Sequence, residues 1–373
     1  MTHESHAPQL AAVSATIEAL NALKEFDASG MKSAAFEMPS QILQGLEKAA
    51  STHAGDVPLD KSKFHLVGLG GSAIAGELLR DMIAPGKGIS IHRGTKPPRD
   101  KAGVVVSSYS GNTREILEIS EIVIGGLRTV LYLTSGGLLE KLGAESAVPV
   151  WKMPGGYQPR AAVGWSMAMV AAIMNRWQVA VEVEAKLRTA AAKFAEDIHH
   201  CAEYRHPLVQ ASLPIADATL KKTTVIFHSL RCTGAARRFA AQINENGKQA
   251  AFALVMPEAM HNGIEGLVGS GNVDQLALIF MMDTNDSPSL REAMQRTMTY
   301  FEGQGFSCLP FPSAGADQYE TTLSRVFIAD MASLFLAARG RIDPTPIPTI
   351  RAIKELEPPL DDSYHPQDRI EFH

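Results

Sequence analysis

The stretch FHLVGLGGSAIAGELL, residues 64–79, decides the fold. FHLVGL is a short apolar strand, GGS is a turn, and the turn opens a helix carrying Leu78 and Leu79. The same rhythm continues downstream. ISIH (89–92) is a second strand, and GVVVSSYSGNTREIL (103–117) is a third that passes through SGNT into a helix with Ile116, Leu117 and Ile119. RTVLYLT (128–134) and VPVWKM (148–153) follow as a fourth and a fifth. Strands alternating with helices of about 10–15 residues require parallel crossovers, which lay helices on both faces of one sheet.

The second half repeats the rhythm. TTVIFHSL (223–230), AAFALVM (250–256), LALIFMM (276–282) and FSCLPF (306–311) read as strands, and TGAARRFAAQI (233–243) and PSLREAMQRTMTYFEG (288–303) as helices. VGLGGSAIAGELL matches IFHSLRCTGAARRF in position, and VVVSSYSGNTREIL matches LIFMMDTNDSPSLREAM. The chain therefore reads as two copies of one α/β design, the second without the glycine- and serine-rich turns. The expected class is α/β, with two doubly wound three-layer (αβα) domains and mainly parallel sheets. Residues 1–185 are expected to form N-terminal helices plus a first, phosphate-binding domain, and 186–340 a second domain. Residues 341–373 read as a proline-rich tail with a short helix, draped over a domain or partly disordered. Leu10, Val13, Ile17 and Leu20 recur at helical spacing, and a further helix can start at Pro39. Helical sequence from Arg160 to about Tyr204 is expected to connect the domains.

The 373 residues suit two domains at about 150 residues each. A 45% apolar and 20% charged composition excludes a disordered chain. Net charge of -5 and a pI near 6.2 argue against a dedicated nucleic-acid binder. Cys201, Cys232 and Cys308 form neither a disulfide framework nor a CxxC metal pair. MTHESHAPQL lacks the basic-then-apolar signature of a signal peptide. The stretch from Ala161 to Met174 is shorter than the ~20 residues of a membrane span. The expectations are a cytoplasmic location and no membrane partner.

GLGGSA (68–73) lies between a strand and a helix, where glycines allow close approach of an anion and the helix N-terminus supplies N–H groups. Gly68, Gly70 and Ala73 also satisfy the dinucleotide pattern G-x-G-x-x-G/A. A dinucleotide site wants Asp or Glu about 20 residues on, at the end of the second strand. Arg93 and Gly94 stand there instead, which argues against a nicotinamide cofactor. Ser107, Ser108, Ser110, Asn112 and Thr113 cluster at the end of the third strand, where a doubly wound sheet binds its ligands. Hydroxyls beside a helix N-terminus suit the terminal oxygens of a phosphate monoester. No Walker pattern occurs, and no histidine spacing suggests a metal.

GLGGSA, VSSYSGNT, PGGYQPR, QINENGK, His261-Asn262 and DPTPIPTIRAIK, in that order, make residues 60 to 356 resemble the bifunctional phosphoglucose/phosphomannose isomerases. These are two-domain members of the sugar-isomerase (SIS) superfamily. The resemblance implies two SIS-type domains, no cofactor, and aldose–ketose isomerisation of hexose 6-phosphates in carbohydrate metabolism (glycolysis and gluconeogenesis); the alternatives are a non-catalytic SIS protein that binds a sugar phosphate and an isomerase of a different phosphosugar. The implied cradle for the substrate phosphate is Gly70, Gly71, Ser72, Ser108, Ser110 and Thr113. Arg160 stands on a loop framed by prolines and glycines, which suits a fixed guanidinium, and the resemblance sets it near the bound sugar. Glu245 precedes Gly247, which reads as a helix C-terminal cap. The negative end of a helix dipole raises a carboxylate's proton affinity, and the resemblance makes Glu245 the base between carbon 1 and carbon 2. His261 has the pKa range for acid–base transfer and is implied in ring opening, reaching in from a neighbouring subunit. Lys354, at the edge of an apolar stripe, is implied at the ring oxygen. A homodimer is expected, with the apolar helix from Trp165 to Met174 as either a candidate interface or plain core. Two departures concern the sugar end. Arg238-Phe239-Ala240-Ala241 stands where Trp-Lys is expected, and Gly263 stands where Glu is expected, with Glu265 two places on.

Overall fold

Val104, Val105 and Val106 are wholly buried, as strand residues covered by helices on both faces must be. They lie in the central strand of a five-stranded sheet in a computed structural model that describes residues 6–83, 88–94, 100–124 and 129–357. In chain order the elements are α1 (His6–Phe26), α2 (Met31–Phe36), α3 (Met38–Ala50), β1 (Asp60–Gly68), α4 (Gly71–Met82), β2 (Gly88–His92), β3 (Ala102–Ser107), α5 (Arg114–Ile124), β4 (Val130–Thr134), α6 (Gly137–Glu145), β5 (Val150–Lys152), α7 (Val163–Arg176) and α8 (Val183–His200). They continue as α9 (Pro207–Thr219), β6 (Thr223–His228), α10 (Thr233–Glu245), β7 (Ala251–Val255), α11 (Gly263–Gly269), β8 (Leu276–Met281), α12 (Pro288–Gly303), β9 (Ser307–Pro310), α13 (Gln318–Arg339) and α14 (Pro348–Glu355). The chain divides into two units, Met38–Ala192 with Ile347–His373, and Met1–Glu37 with Lys193–Pro346.

In the first of these, the five-stranded unit, the order is β2-β1-β3-β4-β5 and every pair is parallel. Val67, Val104, Val106 and Tyr132 pack on one face against Ile116, Leu117, Ile119 and Val123 of α5 and Leu139 of α6. On the other face α4 packs against α7, and α7 against α3. All residues from Val163 to Met174 are buried there. Of the two readings of this helix, dimer surface or core, the structure shows core, because it is apolar all round and enclosed by its own unit.

In the four-stranded unit the order is β7-β6-β8-β9, again all parallel. Phe227 and Phe280 stack at 5.0 Å on the face covered by Met294, Met298 and Phe301 of α12. The opposite face carries α9, α10 and α13. By length and composition α13 could cross a membrane, but 94% of its apolar window is buried. It is a core helix, and α1 and α2 help to cover it. Phe36 meets Phe327 edge-on at 5.1 Å, and Lys32 pairs with Glu203 at 2.7 Å.

The two α/β folds are as expected, but the partition differs from 1–185, 186–340 and 341–373. Residues 1–37 belong with the second sheet, and the tail splits at 346/347. An amphipathic stripe shows that a helix is buried, not which core buries it. The helical connection from Arg160 is two helices, α7 and α8, separated by a turn. Pro358, Pro359 and Pro366 of the tail lie outside the described residues.

Candidate active site

A sheet ordered 2-1-3-4-5 reverses its winding between β1 and β3, so the loops leaving those strands diverge and open a crevice. Both glycine- and hydroxyl-rich motifs emerge there. After β1, Gly70 takes φ 51°, a region that disfavours a side chain, and α4 begins at Gly71. Ser72 and Ser108 are buried. The Ser108 and Thr113 hydroxyls pair at 2.9 Å, and the Tyr109 N–H donates to Ser72 Oγ at 3.2 Å, which ties the two motifs together. Exposed Ser110 accepts from the Asn112 N–H at 3.3 Å. The N-termini of α4 and α5 open at this crevice and bring partial positive charge to it. Ser107, fully buried, belongs to the strand.

PGGYQPR forms a loop that ends in a 3-10 turn, Pro159–Ala161, with Arg160 buried. The Pro159 carbonyl lies against the first turn of α4, so close that a β-carbon on Gly71 would stand 3.2 Å from it. The structure thus gathers Gly70, Gly71, Ser72, Ser108, Ser110, Thr113 and the Arg160 turn in one region of one unit. Lys354 is in the same unit but exposed, as is all of α14, instead of facing the protein from an apolar stripe. Ile350 and Ile353 are 41% and 59% exposed. A two-turn helix after Pro344, Pro346 and Pro348 lies on the surface. Just beyond it Glu357 pairs at 3.5 Å with Arg114, the residue after Thr113.

Glu245 and His261 belong to the four-stranded unit. Glu245 is the half-buried last residue of α10. Gly247 is not a left-handed cap; Lys248 takes the positive φ, 53°. Gly247 is instead a packing requirement, since a β-carbon there would fall 2.7 Å from Leu336 Cδ2. The helix end is held by side chains. Asn244 exchanges two 3.0 Å bonds with the Ala251 backbone, Asn246 donates to Ser333 Oγ at 2.9 Å, and Lys248 Nζ donates to the Glu245 carbonyl. Two turns back, Arg238 makes a two-pronged pair with Asp330 at 3.0 and 2.7 Å, and Gln242 donates to the same carboxylate at 2.8 Å. The departure at Arg238 is therefore a buried clamp between α10 and α13.

His261 is exposed, at the end of a 3-10 turn that follows β7. Asn262 caps α11 through the Gly263 N–H, and Glu265 is exposed in the first turn. Glu245 precedes β7 and His261 follows it. The two stand at opposite ends of a five-residue strand, whose ends are about 13 Å apart at ~3.3 Å per residue. One unit does not bring them together.

In the four-stranded unit, the crevice equivalent to the hydroxyl cradle lies between β6 and β8. There Asp286 accepts from the Asp283 N–H at 2.8 Å, and Asp283 accepts from the Asn285 N–H at 2.9 Å, Gln318 at 2.9 Å and Arg325 at 2.9 Å. Burial opposes the Asp283 charge, but these bonds outweigh it and hold the carboxyl below its ordinary range. Sequence reading passed over this pair, and also a relay at the edge of the other sheet. His65 joins His92 at 2.9 Å and Asp100 at 2.7 Å. Burial, then the neighbouring His65, pushes the His92 pKa down. Burial works against the Asp100 charge, yet bonds from His65, the Ala102 N–H and Lys63 hold its pKa down at about 2. Among the described residues no group of three or more His, Cys, Asp or Glu is arranged to hold a metal ion.

Residues 209–356 match the model of the bacterial phospho-glucose isomerase C-terminal SIS domain. The chain is 28% identical over 335 residues to a bifunctional phosphoglucose/phosphomannose isomerase of Caldicellulosiruptor bescii, covering 86% of this chain and 96% of that one. It is 30% identical over 215 residues to a D-glucosamine-6-phosphate 4-epimerase of Sulfolobus acidocaldarius, covering 56% of this chain and 66% of that one. Its fold resembles the crystal structure of a hypothetical protein from Thermus thermophilus, with TM-score 0.68, 16% identity and 94% of each chain covered. With two parallel doubly wound sheets, a hydroxyl-lined crevice at the switch point of one, a C-terminal match to an SIS domain and similarity along most of its length to bifunctional phosphoglucose/phosphomannose isomerases, the chain is a phosphosugar isomerase of the SIS fold.

Proposed function

We propose that the protein interconverts glucose 6-phosphate and/or mannose 6-phosphate with fructose 6-phosphate through a cis-enediol. The observation that carries this reading is a cradle of helix N-termini and hydroxyls with a buried arginine on the adjoining turn. The phosphate docks on Gly70, Gly71, Ser72, Ser108, Ser110 and Thr113. His261 and Lys354 assist ring opening. Glu245 takes the proton from carbon 2 and returns it to carbon 1, while a proton passes from oxygen 2 to oxygen 1. The Arg160 guanidinium stabilises the negative charge on the enediolate oxygen. A second copy of the chain, in a homodimer, supplies His261, because β7 separates it from Glu245 within its own unit.

A second reading keeps the proton transfer and changes the sugar. It is supported by Gly263 beside His261; the similar D-glucosamine-6-phosphate 4-epimerase, whose own change is at carbon 4, contributes the amino sugar phosphate as candidate substrate and not the carbon 1–carbon 2 step. The deciding experiment is proton exchange at carbon 2 in heavy water across a panel of sugar phosphates. Exchange on glucose or mannose 6-phosphate supports the first reading, and exchange confined to an amino sugar phosphate supports the second. Absence of exchange on any of them overturns both.

A further inference from the structure

Tyr109 lies between two cradle serines, Ser108 and Ser110, on a turn at the mouth of the crevice. A tyrosine on such a turn has every opportunity to face water, yet it is only 7% exposed. Its main chain belongs to the cradle. The N–H donates to Ser72 Oγ at 3.2 Å, and the carbonyl accepts from the Ser135 N–H at 2.9 Å and the Ser135 hydroxyl at 2.6 Å. Its side chain leaves the cradle for the arginine loop. The phenol donates to the Pro154 carbonyl at 2.9 Å and accepts from the Tyr157 N–H at 3.1 Å, so both its donor and an acceptor lone pair are used.

The loop offers little support of its own at this point. Gly155 and Gly156 are exposed, and a β-carbon at either would touch nothing within 4 Å. The phenol grips the loop on both sides of this glycine pair, and the Pro159 carbonyl rests on Gly71 at its far end. The contacts close a circuit, from Ser72 to Tyr109, through the phenol to Pro154 and Tyr157, along the loop to Pro159 and Arg160, and back through Gly71 to Ser72. From this circuit we infer that Tyr109 is a positioning residue: it couples the phosphate cradle to the loop that aims Arg160. The inference rests on the proposed use of Arg160 in the reaction. Burial raises the phenol's pKa above its ordinary value, so the hydroxyl remains a donor throughout neutral pH.

The test is a double-mutant cycle on the full-length protein with Tyr109→Phe, Arg160→Ala and both together. Phenylalanine keeps the ring and leaves the Pro154 carbonyl and Tyr157 N–H without their partner. Tyr109→Phe is expected to lower kcat about tenfold, while KM and the inhibition constant of inorganic phosphate stay within about twofold, as removal of an interaction made only in the transition state predicts. In the Arg160→Ala background the same change is expected to cost less than about twofold, since there is no guanidinium left to aim. A tenfold loss that persists in that background overturns the coupling, and so does a loss seen in KM and phosphate inhibition instead of kcat. Wild-type turnover in Arg160→Ala alone overturns the arginine reading and the coupling with it. Gly156→Ala, which strains a backbone at φ 92°, perturbs the loop from its other side and replaces Tyr109→Phe in the cycle if that variant does not fold.

Discussion

The two units share strand order, parallel pairing and a switch-point crevice, but they treat that crevice oppositely. Between β1 and β3 the chain presents hydroxyls and two helix N-termini, groups that need an anion from outside. Between β6 and β8 it has installed the anion itself, with Asp286 on the Asp283 N–H and Asp283 on Arg325. The Arg325–Asp283 pair is almost completely buried, at 2% and 0% side-chain exposure. A doubly wound sheet therefore creates a place for negative charge at its switch point, and the local residues decide whether a ligand or a side chain fills it. In the proposed function the first crevice takes the phosphate, and the second unit contributes Glu245 at the end of α10.

This division can be broken by mutation. Glu245→Gln is expected to lower turnover by about 100- to 10,000-fold, the usual cost of losing a positioned general base. Inhibition by inorganic phosphate should not change, because the cradle is in the other unit. Wild-type turnover in that variant would move the base elsewhere, with Glu265 as the next carboxylate to test.

Asp283→Ala is expected to destabilise the protein by about 3–5 kcal/mol, because it leaves Arg325 as an uncompensated buried charge. Chemical denaturation checks this, and the KM for sugar phosphate of the surviving folded fraction should be unaltered. A raised KM with unchanged stability would mean that the second crevice also handles ligand.

Ser110→Ala combined with Thr113→Ala is expected to weaken inorganic phosphate at least tenfold, since each hydrogen bond to a charged group is worth about 1.5–3 kcal/mol. Unchanged competition by phosphate in steady-state kinetics would remove the hydroxyl cradle from the binding account.

The smallest effect is one of pH. Folding lowers the Asp100 pKa to about 2, against an ordinary value of about 3.9. A group whose folded pKa is depressed contributes stability that is complete above the unfolded pKa and is lost as pH falls through the folded one. The contribution should therefore be intact above about pH 4 and fade toward pH 2. Asp100→Asn should remove that part of the acid dependence from melting temperatures measured across the window.

The parallel sheets were legible because β-branched runs end in glycine and hydroxyl turns at regular intervals, and both cradle motifs fell where the strand order reverses. The fixed turn that carries Arg160 was legible from its proline frame, while the burial of the guanidinium was not. Other features were hidden for identifiable reasons. The stripe of α1 fits any apolar groove, and only α13, buried on every side, shows why it belongs to the four-stranded unit. Gly247 looks like a cap by position, but its glycine requirement comes from Leu336, three helices further along the chain. Arg238 looks like a surface helix arginine until Asp330 arrives from α13. Tyr109 carries no sign in its neighbours that its hydroxyl spans to residue 154. In each case the deciding partner is distant along the chain, where spacing carries no signal.

The assignment of residues 1–37 to the later sheet has a consequence for synthesis. These residues leave the ribosome long before their cover, α13, which ends at Arg339. At about 5–20 residues per second, roughly 300 residues of translation, or about 15–60 s, separate the two. Meanwhile the intervening stretch 38–192 can already build its sheet. Leu20, Leu23, Met31 and Ala35, all buried in the finished fold, therefore stay without their core partner for that interval of translation.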